Sequence, residues 1–192
     1  GEVAALAADV NALALGEVEC LAVHAGAVAR DGRVVAFPAR SGAGKSTLTA
    51  ACLRAGLDLV SDEALCLDWH TGAVRPYPRP IALTPWSATA LGIAPAGPDT
   101  LVTATDLGAA VATEPLRLTH VVLLDEPGGT PGPRPERRST AVAELLRRSF
   151  SHWRRPDRAF ELAHELLRAV PVHRLSPTDP AADAATLAAL LT

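Results

Sequence analysis

Methionine is absent from all 192 residues, an initiator included, so position 1 is expected to be a processed start or a boundary with a segment upstream of it. Aromatic residues are scarce: three Trp, three Phe and one Tyr. With a net charge of −3, that scarcity argues against a nucleic-acid partner, which needs positive charge and stacking surface. Cysteine occurs three times, at Cys20, Cys52 and Cys66, without C-x-x-C spacing. An odd, dispersed set excludes a disulfide framework and a thiolate metal site; these read as small core residues of a reducing, cytoplasmic compartment. No apolar run reaches the length of a membrane span, and no basic-then-apolar segment opens the chain, so neither a span nor a signal segment is expected. Of the six histidines, His70, His120, His152, His164 and His173 lack metal-ligand spacing. Lysine occurs once.

That lysine lies in the stretch that organises the chain. Val34-Val35-Ala36-Phe37-Pro38 is an apolar run, and Ala39-Arg40-Ser41-Gly42-Ala43-Gly44-Lys45-Ser46-Thr47 follows it. The pattern reads as strand, phosphate loop and helix. Successive backbone N–H groups of such a loop point inward, and the helix N-terminus adds partial positive charge, so together they cradle a polyphosphate. Lys45 is expected to reach the β- and γ-phosphates, and the Ser46 hydroxyl to ligand Mg²⁺. Ala39 stands where the pattern has glycine, which is sterically acceptable if its φ is negative. Seventeen arginines against one lysine indicate that this position needs a compact ammonium, which a planar guanidinium cannot imitate. Residues 39–47 are therefore the nucleotide-binding residues, and ATP with Mg²⁺ the expected ligands.

Length favours one domain over residues 1–192, and 48% hydrophobic with 20% charged residues suits one full core. A helix is expected over 2–15, then strands over 20–29 and 33–37 about the Asp31-Gly32 turn signal. Thr47–Arg54 is a helix stopped by Gly56. Strands follow over 57–60 and 64–69, separated by Ser61-Asp62-Glu63, and residues 74–83 carry three prolines, as an edge or extended segment does. Residues 84–91 read as a helix, with the remainder to 118 ambiguous. A buried strand is expected over 121–124, a Pro/Gly-rich loop over 125–138, and helices over 139–150 and 157–170. The latter carries an apolar stripe of Phe160, Ala163, Leu166, Leu167 and Val170. A strand over 172–175 and a helix over 180–191, N-capped by Asp179, close the chain. Residues 134–158 hold eight Arg against three acids, about +5 locally. Two readings of that run stay open: a solvated face, or a docking surface for an acidic partner or a phosphate.

Two acidic pairs end apolar strands and compete to face the phosphates: Asp62-Glu63 and Asp125-Glu126. The second, in Val121-Val122-Leu123-Leu124-Asp125-Glu126, is similar to the Walker B segment of transporter-type ATPases, but nothing in 109–119 resembles the signature loop that those enzymes need. The first belongs to a wider pattern. Val23-His24-Ala25-Gly26, the loop Ser41–Thr47 and Arg54-Ala55-Gly56-Leu57-Asp58-Leu59-Val60-Ser61-Asp62-Glu63 together resemble the catalytic core of HPr kinase/phosphorylase. They are closer still to the smaller related kinases that phosphorylate lasso-peptide precursors. The likeness spans about residues 21–85. Glu63 stands where that family has a second aspartate, and the family's downstream Arg-Gly-Leu-Gly signature is not found in 79–92.

The resemblance implies an α/β P-loop domain of the HPr kinase C-terminal and PEP-carboxykinase-like type, a mixed sheet with flanking helices. It implies an ATP- and Mg²⁺-dependent kinase acting on a hydroxyl, a serine of a peptide or protein, in a protein that can form homo-oligomers. Asp62 is assigned as the base, Glu63 with Ser46 as metal ligands, and His24 as a partner of the acidic pair or of the phosphoryl group. Arg79 is a further candidate for phosphate contact. Two rivals remain: a small-molecule kinase of the same fold, and a P-loop ATPase or nucleotide-binding regulatory module.

Overall fold

The computed structural model describes residues 10–192 apart from 12, 127, 128 and 131. Most of the helix expected over 2–15 lies outside the described residues; 10, 11 and 13–16 are helical. The framework begins with β1 (Cys20–Arg30) and β2 (Arg33–Pro38), an antiparallel hairpin. Its turn residues Asp31 and Gly32 have φ of 51° and 74°, the left-handed pair of a type I′ turn whose twist matches the flanking strands. Helix α1 (Lys45–Arg54) follows the phosphate loop. It stops at Gly56, where Gly56 N–H donates to Leu53 and Leu57 N–H to Cys52, the double bond of a Schellman ending.

The chain continues through β3 (Asp58–Ser61), β4 (Ala64–Asp68), β5 (Val74–Arg75), β6 (Ile81–Leu83), α2 (Pro85–Ala90), β7 (Thr100–Val102) and β8 (Arg117–Leu124). It ends with β9 (Arg134–Pro135), α3 (Arg138–Arg147), α4 (Pro156–Ala169), β10 (Val172–Leu175) and α5 (Pro180–Ala189). The fold is α/β. Eight strands form one mixed sheet in the order β5-β4-β1-β2-β8-β10-β9, with β3 also on β1, while β6 and β7 pair separately. β8 lies parallel to both β2 and β10. No helix among the described residues is long and apolar enough to cross a membrane.

Strand periodicity divides the core between the two sheet faces. Val34 and Ala36 of β2, with Val121 and Leu123 of β8, join Leu145 of α3 and Leu162 of α4. Their alternates Val35, Phe37, Val122 and Leu124 join Leu48 and Cys52 of α1 and Leu187 of α5. All three cysteines are free and buried. Two expectations need correction. β8 begins at Arg117 rather than 121, because Arg117 and Leu118 already pair with Arg33 and Val34; an outer end bearing Arg117, Thr119 and His120 hides the strand from an apolar-run criterion. On α4 the buried residues are Ala159, Leu162, Ala163 and Leu167, whereas Phe160 is 55% exposed and stacks on His164. The stripe turns about the small Ala159, and the large Phe160 drew the sequence reading one residue off it.

The site is positioned by β1. Its first half pairs with β4 and its second half with β3; the register carries across from His24 opposite Ala64 to Ala27 opposite Ser61, then shifts by one residue at a bulge, with Val28 opposite Leu59. β3 and β4 thus run end to end along a single edge of β1, and Asp62-Glu63 is the interruption between them. Ser61, wholly buried, makes the interruption possible. Its hydroxyl accepts from the backbone N–H groups of Glu63 and Ala64, at 3.1 and 2.9 Å.

Across from the interruption lies Gly26, where an added Cβ would fall 2.1 Å from the Phe37 ring, its cross-strand neighbour. Gly26→Ala is expected to destabilise the fold by about 1–3 kcal/mol through overpacking. Urea denaturation checks this, with Phe37→Leu in the same chain restoring part of the loss. Equal midpoints for Gly26→Ala and the parent would refute the close approach.

Candidate functional site

The loop between β2 and α1 opens into a cleft of about 750 Å³. Gly42 and Gly44 have φ of 81° and 90°, the left-handed turns that aim successive N–H groups inward. Among the described residues Asp31 is the one non-glycine with positive φ, so Ala39 fills its position without strain. α1 carries no side-chain cap and no acid in its first turn, which leaves the first-turn amides and the positive end of the helix dipole to an anion.

Lys45 is buried, and its Nζ donates to the carbonyls of Ala39 (3.2 Å) and Arg40 (2.9 Å). The ammonium is folded back over its own loop, on the floor of the cleft. Burial depresses its pKa to about 8, against the opposing pull of Asp62 and Glu63. A phosphate ligand needs the charged form, so the sign is fixed. Affinity for ATP is expected to be highest below pH 8 and to fall above it by up to about tenfold per pH unit. Calorimetric titrations from about pH 7 to 9 check this against Lys45→Ala, in which that dependence disappears.

Both acids of the first pair line the cleft, and they differ. Ser46 Oγ donates to Asp62 Oδ2 at 2.7 Å. Asp62 Oδ1 is buried without a hydrogen-bond partner. Burial raises the Asp62 carboxyl to about 6, opposed by the Ser46 hydrogen bond and by the Lys45 charge. Glu63 is more open. His24 Nδ1 lies 3.1 Å from its backbone oxygen and 3.5 Å from Oε1, and Arg79 lies 4.0 Å from Oε2. The His24 hydrogen bond, then the His24 and Arg79 charges, hold Glu63 below the usual carboxylate range despite partial burial. His24 itself is fixed by its backbone bond to Arg148 and by an edge contact to the Phe150 ring.

The rival pair is occupied otherwise. Asp125 is held by Arg174 at 2.6 Å and Arg134 at 3.0 Å, and Glu126 pairs with Arg40. The arginine-rich run is also largely matched. Arg147 and Arg148 pair with Glu144, Arg154 with Glu17 and Glu19, Arg155 with Glu19, and Arg158 with Glu161 and Glu165. Among the described residues no group of three or more His, Cys, Asp or Glu could hold a metal ion.

No protein-family model matches this chain, and no curated protein matches it. The case for function therefore rests on the cleft. It brings together His24, the loop residues 41–47, Asp62, Glu63 and Arg79, which are scattered over 56 residues of sequence. It also holds residues that no sequence pattern singles out. Thr47 Oγ1 lies 2.7 Å from Ser87 Oγ, and Ser87 is itself 2.9 Å from Thr84 Oγ1. Trp86 lines the cleft beside them, as do Thr178 and Asp183 at the start of α5. Hydroxyls and a lone tryptophan far from the loop carry no spacing that would mark them.

Proposed function

We propose that the protein is an ATP- and Mg²⁺-dependent kinase of HPr-kinase-like type, transferring the γ-phosphate to a hydroxyl, a serine of a peptide or protein. The observation that carries the reading is the Ser46–Asp62 hydrogen bond, which joins the phosphate loop to an acidic pair across one cleft. Asp62 Oδ1, buried and unpartnered, and the hard oxygen donors around it fit Mg²⁺, which binds a few carboxylate or hydroxyl oxygens and keeps several waters. Bound there, the ion would neutralise charge on the β- and γ-phosphates.

The geometry favours exchanging the two acid roles assigned from sequence. Ser46 donates its proton to Asp62, so the serine lone pairs are left toward a cation, and Asp62 orients them. Asp62 already has one oxygen on Ser46 and the other offered to the cation, which leaves it poorly disposed to take the proton of an incoming hydroxyl. Glu63 is open to the cleft, is held ionised and is aimed by His24, as a group that accepts a proton must be. In this reading Ser46 and Asp62 hold the metal, Glu63 accepts the proton, His24 positions Glu63, and Lys45 with the loop N–H groups takes the phosphate charge.

A small-molecule kinase would use the same groups on a metabolite hydroxyl, and a regulatory module would bind ATP without transferring it. Incubation with γ-labelled ATP, Mg²⁺ and serine-containing peptides tests the reading. Label on peptide serine supports it. Label only on a metabolite favours the first rival, and release of free phosphate or mere retention of ATP favours the second.

A further inference from the structure

The end of the cleft away from the acids has chemistry that phosphate transfer does not use. Trp86 is 69% exposed, and it is set on α2, a single short helix. That helix is firmly anchored. Thr84 caps it by accepting from the Ser87 N–H, and the Ser87 hydroxyl bonds Thr47 at the start of α1. Thr47 and Ser87 are both buried. The indole therefore stands in open solvent on a support tied to the phosphate loop itself. Ile81, Leu83 and Ala88 of the same segment are buried in the core that includes α1, whereas the indole is left outside it.

Distance decides which part of a ligand it would meet. The chain runs from Arg79, beside Glu63, along β6 to Thr84. At about 3.3 Å per extended residue, the two lie up to about 16 Å apart along the chain, while the Thr47–Ser87 bond keeps α2 on the phosphate-loop side of the cleft. A hydroxyl receiving the γ-phosphate has to lie at the acid end, so a group over Trp86 is the opposite end of the donor. An exposed aromatic face also suits a base without selecting among bases, since every nucleobase offers a π-face.

We propose that Trp86 is the stacking platform for the nucleobase of the phosphoryl donor, with the Thr47–Ser87–Thr84 hydroxyl relay fixing it relative to the phosphate loop. This rests on the nucleotide-binding reading of the cleft, and the test separates the two. Calorimetry would compare ATP, GTP and inorganic triphosphate on the full chain, its Trp86→Ala and Trp86→Phe variants. The expected result is that Trp86→Ala weakens ATP and GTP alike, by about tenfold or more, while Trp86→Phe recovers most of the affinity. Inorganic triphosphate, having no base, binds the parent and both variants equally, which also shows that the variants remain folded. If triphosphate binds and Trp86→Ala leaves ATP affinity unchanged, the stacking inference is overturned while the phosphate loop stands. If Trp86→Ala instead raises only the KM for a peptide acceptor, the indole belongs to the acceptor and the inference is likewise overturned. If the parent binds neither ATP nor triphosphate, the nucleotide-binding reading fails, and the inference with it.

Discussion

Lys45→Ala abolishes ATP turnover and weakens ATP binding: that is the largest single effect expected in this protein. The ammonium is the only lysine of the chain and lies on the cleft floor, held by two loop carbonyls. Electrostatic stabilisation of transferring phosphate by a preorganised cation is commonly worth about 10²–10³-fold in rate. Lys45→Arg is expected to fail as well, because a planar guanidinium does not reproduce the compact ammonium held by two loop carbonyls. Folding is expected to survive both changes, since the carbonyls of Ala39 and Arg40 border the cleft and can be hydrated; thermal melts verify it. Unchanged ATP affinity and turnover in a folded Lys45→Ala protein would sink the phosphate-loop assignment.

The acidic pair yields the second large effect, and here the two variants differ in kind. Glu63→Gln is expected to cut phosphoryl transfer by about 10²-fold or more, the usual scale for a positioned base, with ATP and Mg²⁺ affinity nearly intact. Asp62→Asn is expected to raise the Mg²⁺ concentration needed for half-maximal activity. If instead Asp62→Asn keeps the Mg²⁺ requirement and loses only kcat, Asp62 is the base as its sequence context implied. Asp62 also has a measurable cost to the empty protein. Its pKa is about 6 in the fold against an ordinary 3.8, so the native state binds this proton more tightly than the unfolded chain does. Stability therefore falls as pH rises from about 4 to about 6 and stays lower above, by about 3 kcal/mol. Asp62→Asn is expected to melt above the parent near neutral pH, the advantage vanishing near about pH 4; Asp125→Asn gives no such gain, because Arg134 and Arg174 hold Asp125 in a paired state.

Much of this architecture was legible because local chemistry and tertiary structure agree. Asp31-Gly32 specifies its turn, Gly56 ends α1, and Asp179 caps α5 by accepting from Ala182 N–H. The loop and both acidic pairs could likewise be read directly. What could not be read is what each acid touches. Asp62 and Asp125 end similar apolar strands, and only the fold determines that one meets a serine hydroxyl and the other two guanidiniums. The arginine run shows the same limit: its charge is concentrated in sequence, but Glu17, Glu19 and Glu144 take up much of it in space. Trp86 left no trace in the sequence, since its place in the cleft depends on hydroxyls 40 residues apart meeting at Thr47 and Ser87.

The shared edge of β1 makes the spacing of the acids a matter of arithmetic. From Ala27 opposite Ser61 to His24 opposite Ala64 the register is continuous, so the gap between Ser61 and Ala64 holds two residues, the one-residue offset of β3 being taken up beyond it at the bulge between Ala27 and Val28. Adding or removing one would put β4 out of phase, turning Leu65 and Leu67 out of the core they share with β1 and Cys66 into it. That register is indifferent to the identity of the acids, aspartate, glutamate or amide; what changes is the chemistry and, at buried Asp62, the stability. Their number is fixed, since a third residue or a single one would be felt first as a misfolded sheet. A library varying residues 62 and 63 can search for activity at constant fold, and one varying their count cannot.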